Sequence, residues 1–276
     1  MLRRPTCFSL ILSVTLFLTI NASAQNTGDN FMDGSNPALI KSHVLLDIGS
    51  YIYLQPARFY SAGIGFFYGL NNERHGMSIV VPFVHSVYDA DFRGFENTVG
   101  IGDIRMKYIG AFHLDKTLGL TRVSPYLEVS APTGEYLLGR GTGTWMYMPG
   151  VILSYALHPN VSFYPQVEFQ FSGKEANSFA GANGTPDLQD QIKDNQLQNL
   201  DIKLPVVLRL ESVHAWLTVK PHYIQSFSEK EYFIFFTTEA GAMLGRKTSA
   251  NLSISKFVGG LPRINIIFQA RLQFFL

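Results

Sequence analysis

Polar and apolar residues alternate along much of the chain with a period of two. The clearest segment runs from Val161 to Ser172. Its two parities differ in polarity, with Ser162, Tyr164, Gln166, Glu168, Gln170 and Ser172 on one and Val161, Phe163, Val167, Phe169 and Phe171 on the other. A period of two places successive side chains on opposite faces of an extended strand. The pattern therefore predicts strands with one polar and one apolar face.

The same reading of the whole chain predicts twelve strands separated by polar or glycine-containing segments. They cover residues 44–54, 58–68, 77–88, 98–112, 123–131, 144–157, 161–172, 197–210, 213–227, 232–244, 248–257 and 263–276. The third and sixth strands are apolar on both parities, so the pattern leaves the direction of their faces open.

Two β folds accommodate such strands. In a soluble sandwich the apolar face forms the core, whereas in a membrane barrel it faces lipid. Many of the predicted strands have 10 to 14 residues, and strands of globular sandwiches usually have about five or six. Their Phe and Tyr residues match an apolar band about 25 Å tall with aromatic girdles. We therefore predict an all-β fold, a transmembrane antiparallel up-and-down β-barrel of about 12 strands.

Connection lengths favour the same fold. The longer loops follow strands three, five, seven and nine, while His158, Glu211 and Gly245 mark tight turns. Transmembrane barrels have short periplasmic turns and long outer loops. A periplasmic N-terminus would place the long loops outside. The longest of them, residues 173–196, is interpreted as a solvated insertion rather than a ligand lid.

The N-terminus has the features of a secretory signal peptide over residues 1–24. Arg3 and Arg4 precede an apolar run from Phe8 to Ile20, and the small residues Ala22-Ser23-Ala24 form a cleavage site. We predict cleavage, a flexible N-terminal segment over residues 25–42 that is either tucked into a lumen or a free tail, and a barrel over residues 43–276. The single cysteine, Cys7, would be removed, so the mature chain would hold no disulfide and no thiolate metal site.

Charge and the C-terminus bear on partners and location. The formal charge is +1, and loss of Arg3 and Arg4 makes it −1, which argues against a nucleic-acid partner. No later stretch is long and apolar enough for a membrane helix, so strands must make any span. The apolar ladder from Ile264 to Leu276 resembles the C-terminal signature of outer-membrane proteins, although an aromatic residue usually occupies the last position. We predict the outer membrane of a Gram-negative-type bacterium, with its lipid and the barrel-assembly machinery as partners.

The polar parity would line the lumen and carries charges of both signs. Its candidate lumen-facing residues are Asp103, Arg105, Lys107, Glu128, Glu168, Asp201, Lys203, Arg209, Lys220, Glu239 and Arg271, with Glu211 and Arg263 on the same parity. A mixed lumen fits either a filled interior or a polar channel of low selectivity. Twelve strands lie between the ~8 that side chains fill and the 16–18 that leave an open channel, so strand number leaves both readings open.

Catalytic and metal-binding patterns are weak. His85-Ser86-Val87-Tyr88 is the segment nearest to the His-x-Ser-Asn-Gly motif of outer-membrane phospholipase A, and it does not match. His214 and His222 are eight residues apart, roughly 26 Å along a strand, so they cannot bind one metal ion. Phosphate-binding and calcium-binding loops are missing. The sequence predicts neither an enzyme nor a cofactor.

Three motifs occur in order between residues 98 and 173: Gly100-Ile-Gly-Asp-Ile-Arg-Met-Lys-Tyr108, Pro132-Thr-Gly134 and Gly141-Thr-Gly-Thr-Trp145. In this order and spacing the chain resembles the outer-membrane protein family named for the meta-cleavage pathway of phenol degradation. The motif residues are interpreted as scaffold: Gly100, Gly102, Asp103, Pro132, Thr133, Gly134, Gly141, Gly143 and Trp145. The resemblance implies a transporter that passes small, aromatic or otherwise hydrophobic compounds through the outer membrane.

The leading hypothesis is thus a channel for a small-molecule solute. One alternative is a non-conducting barrel that serves as a structural or surface-binding protein. A second is a barrel enzyme that modifies lipid.

Overall fold

The computed structural model describes residues 34–53, 57–70, 74–88, 97–113, 119–135, 138–172, 198–261 and 264–276. The predicted signal peptide, the start of the predicted N-terminal segment, the 173–196 loop and Arg263 lie outside the described residues.

Twelve antiparallel strands account for most of the described chain. They are β1 (His43–Tyr53), β2 (Ala57–Leu70), β3 (His75–Tyr88), β4 (Thr98–Ile101, Ile104–Gly110 and Phe112–His113), β5 (Leu120–Ala131), β6 (Met146–His158), β7 (Val161–Phe163 and Gln166–Ser172), β8 (Gln198–Lys203 and Val206–Leu210), β9 (Ala215–Ser226), β10 (Glu231–Met243), β11 (Thr248–Gly260) and β12 (Ile264–Phe275). The predicted number of strands is confirmed, and most strand ends differ by a few residues. A short 3₁₀ turn, Glu211–Val213, separates β8 from β9 and holds Glu211 in solvent.

The sheet closes on itself. Each strand pairs with its neighbours in sequence, and β1 also pairs with β12, where Asp47 lies opposite Arg271. Water is absent from the bilayer core, so backbone N–H and C=O groups there need partners within the protein, and a closed sheet provides them without leaving an edge. Closure thus confirms the predicted barrel.

The two faces of the wall have opposite polarity. Outward side chains are apolar and exposed, for example Ile48 at 63% and Leu252 at 67%. Inward side chains include Ser124, Asp201 and Thr237, which are all buried. A soluble sandwich would have the reverse arrangement. Pairing also decides the two strands whose pattern was ambiguous. In β3, Met77, Ile79 and Phe83 face outward and Ser86 inward, and in β6, Ile152 and Ser154 face inward.

Three strands are interrupted, but backbone hydrogen bonds still connect the interrupted positions to neighbouring strands. The breaks follow Ile101 and Gly110 in β4, Phe163 in β7 and Lys203 in β8. The last two contain Pro165 and Pro205, which lack a backbone donor. Their carbonyls nevertheless accept hydrogen bonds from Leu153 N–H and Tyr164 N–H, both at 2.9 Å. The wall is therefore continuous across β6, β7 and β8.

The up-and-down order places the longer connections together at one end of the barrel and the tight turns at the other, beside the start of β1 and the end of β12. These are called the long-loop end and the short-turn end below. Within the described ranges, no helix has the length and apolar character needed to cross a membrane.

Candidate functional site in the barrel lumen

The barrel encloses a main cavity of about 320 Å³. Part of its lining is apolar, formed by neighbouring strands: Leu45 on β1, Phe67 on β2, Val80 on β3 and Ile109 on β4. The rest is polar and charged. The lumen is therefore neither empty nor completely packed with side chains.

Seven of the candidate lumen-facing residues line this cavity. Five are cationic and two are acidic: Arg105, Lys107, Lys203, Lys220 and Arg271, and Glu128 and Glu239. They come from β4, β5, β8, β9, β10 and β12, so residues far apart in sequence meet only because the sheet closes.

Glu168 lies in the wall beside the cavity and is 6% exposed. The Tyr126 hydroxyl donates a hydrogen bond to its Oε2 at 2.8 Å, and Gln170 Nε2 donates one to its Oε1 at 2.7 Å. Gln166 Nε2 in turn donates to the Tyr126 hydroxyl at 2.6 Å. Both oxygens of this carboxylate are thus bonded to neutral groups of the wall.

Asp201 is the most deeply buried of the candidate charges, with 2% exposure. Its carboxylate lies 3.3 Å from Lys203 Nζ and 2.9 Å from His222 Nε2. Buried carboxylates are stable only when they are paired and hydrogen-bonded. Lys203 and His222 therefore stabilise the Asp201 carboxylate within the wall.

The remaining acids next to the cavity also have partners. Glu239 Oε1 accepts hydrogen bonds from Asn251 Nδ2 at 3.1 Å and Trp216 Nε1 at 3.4 Å. Asp47 Oδ1 lies 3.3 Å from Arg271 Nε, across the β1–β12 junction that closes the barrel.

One ion pair and one cation–π contact complete the lining at β4 and β5. Arg105 Nη1 lies 3.8 Å from Glu128 Oε1. Lys107 Nζ lies 4.1 Å from the centre of the Tyr126 ring, a distance at which a cation is attracted to the ring face.

Residues 34–42, the described part of the predicted N-terminal segment, pack inside the short-turn end. Ala38 is fully buried and Ile40 is 1% exposed. The Ala38 carbonyl accepts a hydrogen bond from Arg122 Nη1 at 3.0 Å. Gly34 lies so close to Ser249 and Gln273 that an added Cβ would be 2.7 Å and 2.6 Å from their side-chain oxygens. The segment therefore occupies the lumen at this end.

Arg209 lies apart from the main cavity. It borders a second cavity of about 220 Å³ near the short-turn end, together with Asn36 and Arg122. Its guanidinium donates hydrogen bonds to Ser162 Oγ and the Tyr164 hydroxyl, both at 2.8 Å. Arg209 thus braces the wall beside the N-terminal segment.

Asp103 lies near the long-loop end and binds the loop at 132–145. Its carboxylate accepts hydrogen bonds from Gly134 N–H at 3.0 Å, Thr142 N–H at 2.7 Å and the Thr142 hydroxyl at 2.8 Å. The Thr133 hydroxyl meanwhile donates to the Gly102 carbonyl at 2.8 Å. The motif residues of β4 and of this loop therefore meet in one network.

Glycine is required in this network for close backbone approach. A Cβ on Gly141 would be 2.3 Å from Asp103 Oδ1, and a Cβ on Gly134 would be 2.4 Å from the Arg140 carbonyl. Arg140 forms an ion pair with Glu135 and donates a hydrogen bond to the Val99 carbonyl at 2.9 Å. Gly143 has a positive φ of 72°, and Trp145 is 38% exposed.

Several lumen residues were not singled out from the sequence. Asp47, Tyr126 and Trp216 are among them. His222 was considered only as a metal ligand. Their contacts depend on which strands lie side by side, and the alternation of a single strand carries no signal for that.

The described residues contain no group of three or more His, Cys, Asp or Glu side chains placed to hold a metal ion. His85 is exposed on the outer face, whereas its neighbour Ser86 is fully buried on the inner face. The two side chains therefore point to opposite sides of the wall.

Comparisons with solved structures agree on the fold. The chain is similar to an outer-membrane channel from Pseudomonas putida F1, with 11% identity, a TM-score of 0.66, and coverage of 92% of this chain and 100% of that one. It is also similar to the NanC porin, with 12% identity, a TM-score of 0.55, and coverage of 84% and 100%. The β domain of the Bordetella autotransporter Brka gives 13% identity, a TM-score of 0.55, and coverage of 86% and 100%.

These identities establish the fold and no more, and the fold is shared by channels and an autotransporter domain. A search of curated proteins gave no match. The closed barrel and its apolar outer surface place the chain in the outer membrane of a Gram-negative-type bacterium.

The family model described as "Putative MetA-pathway of phenol degradation" matches residues 40–198. This range is more than half of the chain and includes β4, β5 and the loop between β5 and β6 that Asp103 binds. The chain therefore belongs to this family, as the motifs at Gly100, Pro132 and Gly141 indicated.

Proposed function

We propose that the protein is a channel that passes small solutes through the outer membrane. The observation that carries this proposal is the charged cavity of about 320 Å³ inside a closed barrel with an apolar outer surface. Ionisable groups within a membrane span are expensive to maintain and usually mark a solute pathway.

The cavity favours a channel over a non-conducting structural barrel. Small barrels that serve only as scaffolds are filled by side chains. Here, polar side chains from strands on all sides border free space instead. The lining of Arg105, Lys107, Glu128, Lys203, Lys220, Glu239 and Arg271 supports a polar pathway, and the apolar side chains of β1 to β4 support passage of solutes that are partly hydrophobic.

The N-terminal segment would regulate this pathway, because residues 34–40 lie across its short-turn end. Residues 34–40 precede β1 and take no part in its strand pairing, and Arg122 Nη1 donates a 3.0 Å hydrogen bond to the Ala38 carbonyl. A segment held in this way can leave the lumen without unfolding the sheet.

The proposal includes no enzymatic step. A nucleophile needs a base within hydrogen-bond reach, and His85 and Ser86 lie on opposite faces of β3.

Lipid contacts the outer face, and the apolar ladder of β12 from Ile264 to Phe274 is the segment that the barrel-assembly machinery would recognise.

Conductance of the purified protein in planar lipid bilayers tests the proposal. We expect discrete channels, with a larger conductance when residues 25–40 are deleted. If neither form conducts although both are folded, the protein is a non-conducting barrel. Hydrolysis of phospholipid by the folded protein would instead support the enzymatic alternative.

A further inference from the structure

The lumen carries similar numbers of acidic and cationic side chains, but the two signs lie in different places. Two of the acidic groups sit within the wall, where Glu168 is 6% and Asp201 is 2% exposed, and neither lines the main cavity. The cavity surface itself carries five cationic side chains and two acidic ones. A solute in the cavity would therefore meet a positive surface.

Three of the five cations lie beside a carboxylate. Arg105 pairs with Glu128, Lys203 with Asp201 and Arg271 with Asp47. Lys107 and Lys220 differ. Among the described residues, neither ammonium has a carboxylate oxygen within 4.0 Å.

Lys107 and Lys220 approach the same cavity from opposite parts of the wall. Lys107 is on β4 and Lys220 is on β9, five strands away in a ring of twelve. Glu128 lies opposite Lys107 in the strand pairing, but a carboxylate farther than 4.0 Å compensates an ammonium group only in part, and an anion in the cavity would stabilise both lysines.

The rest of the lining indicates what the anion carries. Leu45, Phe67, Val80 and Ile109 form a continuous apolar surface on β1 to β4, and Leu39 of the N-terminal segment adjoins it. The volume of about 320 Å³ lies at the lower limit of ligand pockets, which span roughly 300 to 1,000 Å³. The space therefore suits a compact molecule with an apolar body and one charged head.

We infer that the main cavity is a binding site for small monocarboxylates with an apolar body, such as single-ring acids. The carboxylate is attracted by Lys107 and Lys220, and the ring or chain rests on Phe67 and Val80. This inference rests on the proposed channel function and specifies its solute class.

Titration calorimetry of the full mature chain in detergent tests the inference, with benzoate as the probe. Benzamide has the same ring and a neutral head, and serves as the matched ligand. We expect benzoate to bind at least about tenfold more tightly than benzamide. Equal affinities, or no heat of benzoate binding by folded protein, would overturn the inference.

Variants test the role of the two lysines. Lys107→Gln and Lys220→Gln should each weaken benzoate binding by about tenfold or more, whereas Lys107→Arg and Lys220→Arg should retain it within about threefold. Lys247→Gln, in the exposed turn between β10 and β11, is the matched control and should bind as the unmodified protein does. Unchanged affinity in both glutamine variants would overturn the inference.

The two proposals can fail separately. A barrel that conducts in bilayers but does not bind benzoate retains the channel function and loses the carboxylate site. A barrel that binds benzoate through Lys107 and Lys220 but does not conduct retains the site and loses the channel.

Discussion

The side chain of Tyr126 on β5 reaches over β6, and its hydroxyl donates a hydrogen bond to Glu168 Oε2 on β7 at 2.8 Å. The residue between them on the intervening strand is Gly150, which pairs with both. A Cβ at this glycine would be 2.4 Å from Cζ of the tyrosine ring. Trp216 lies over Gly241 in the same way, with its Cζ2 2.3 Å from the position of a Cβ. Glycine in these strands thus provides room for a large side chain to reach a polar partner.

Replacing Gly150 by Val should therefore displace Tyr126 and break its hydrogen bond to Glu168. We expect a loss of about 1–3 kcal/mol in the free energy of unfolding, the usual cost of overpacking a filled interior. Urea-induced unfolding in detergent measures it. Gly245→Ala is the control, because a Cβ there would have nothing within 4 Å. Equal stability of the two variants would contradict the role assigned to Gly150.

The charge on Asp103 should hold the loop between β5 and β6. Asp103→Asn replaces one acceptor oxygen by an NH₂ group and removes the charge that strengthens the bonds from Gly134 and Thr142. Weakening these contacts by about 1–3 kcal/mol raises the open population of the loop by about 5- to 150-fold.

Trypsin cleavage after Arg140 reports that opening, because Arg140 is held by Glu135 and Val99 in the closed loop. We expect faster cleavage after Arg140 in Asp103→Asn and unchanged cleavage at other sites. The control is Glu211→Gln, which changes an exposed acid in the 3₁₀ turn and should leave the rate of cleavage after Arg140 unchanged. If cleavage after Arg140 is as slow in Asp103→Asn as in the unmodified protein, the loop does not depend on this carboxylate.

A disulfide between the N-terminal segment and the wall should lock the channel closed. Gly34 lies beside Ser249, so cysteines at these two positions are close enough to form the bond. The only natural cysteine is Cys7, in the predicted signal peptide, so the new pair would be unique in the mature chain.

Single-channel recording of the double variant Gly34→Cys, Ser249→Cys then compares its oxidised and reduced forms. We expect low conductance when oxidised and a reversible increase on reduction. Each single variant should give the same conductance under both conditions. If the conductance of the double variant is the same before and after reduction, the segment does not control passage.

The orientation of the barrel is testable on intact cells with a membrane-impermeant thiol reagent. Asn183→Cys, between β7 and β8, and Asp91→Cys, between β3 and β4, replace residues outside the described ranges and should label. Asn160→Cys, in the tight turn between β6 and β7, should label only after the outer membrane is opened. The reverse pattern would place the long loops in the periplasm.

The alternation of residues predicts the number of strands, their approximate positions and, except in the third and sixth strands, the polarity of their faces. This local pattern suffices because a barrel has one requirement that repeats along every strand, lipid on one side and polar groups on the other. The ordered glycine motifs were enough to indicate the family. Parity also placed the cationic and acidic candidates, such as Lys107 and Glu239, on one face.

Only the tertiary structure decided what those charges do. The parity of a residue predicts which face of the strand its side chain occupies, but neither its height in the barrel nor its neighbours. Its contacts depend on the register of adjacent strands and on closure of the sheet. Asp103, a candidate for the lumen, binds the loop at Gly134, and Arg209 lies at the short-turn end beside the N-terminal segment. The positive surface of the main cavity arises in the same way, because neighbouring strands retain Glu168 and Asp201 in the wall and leave Lys107 and Lys220 facing the free space.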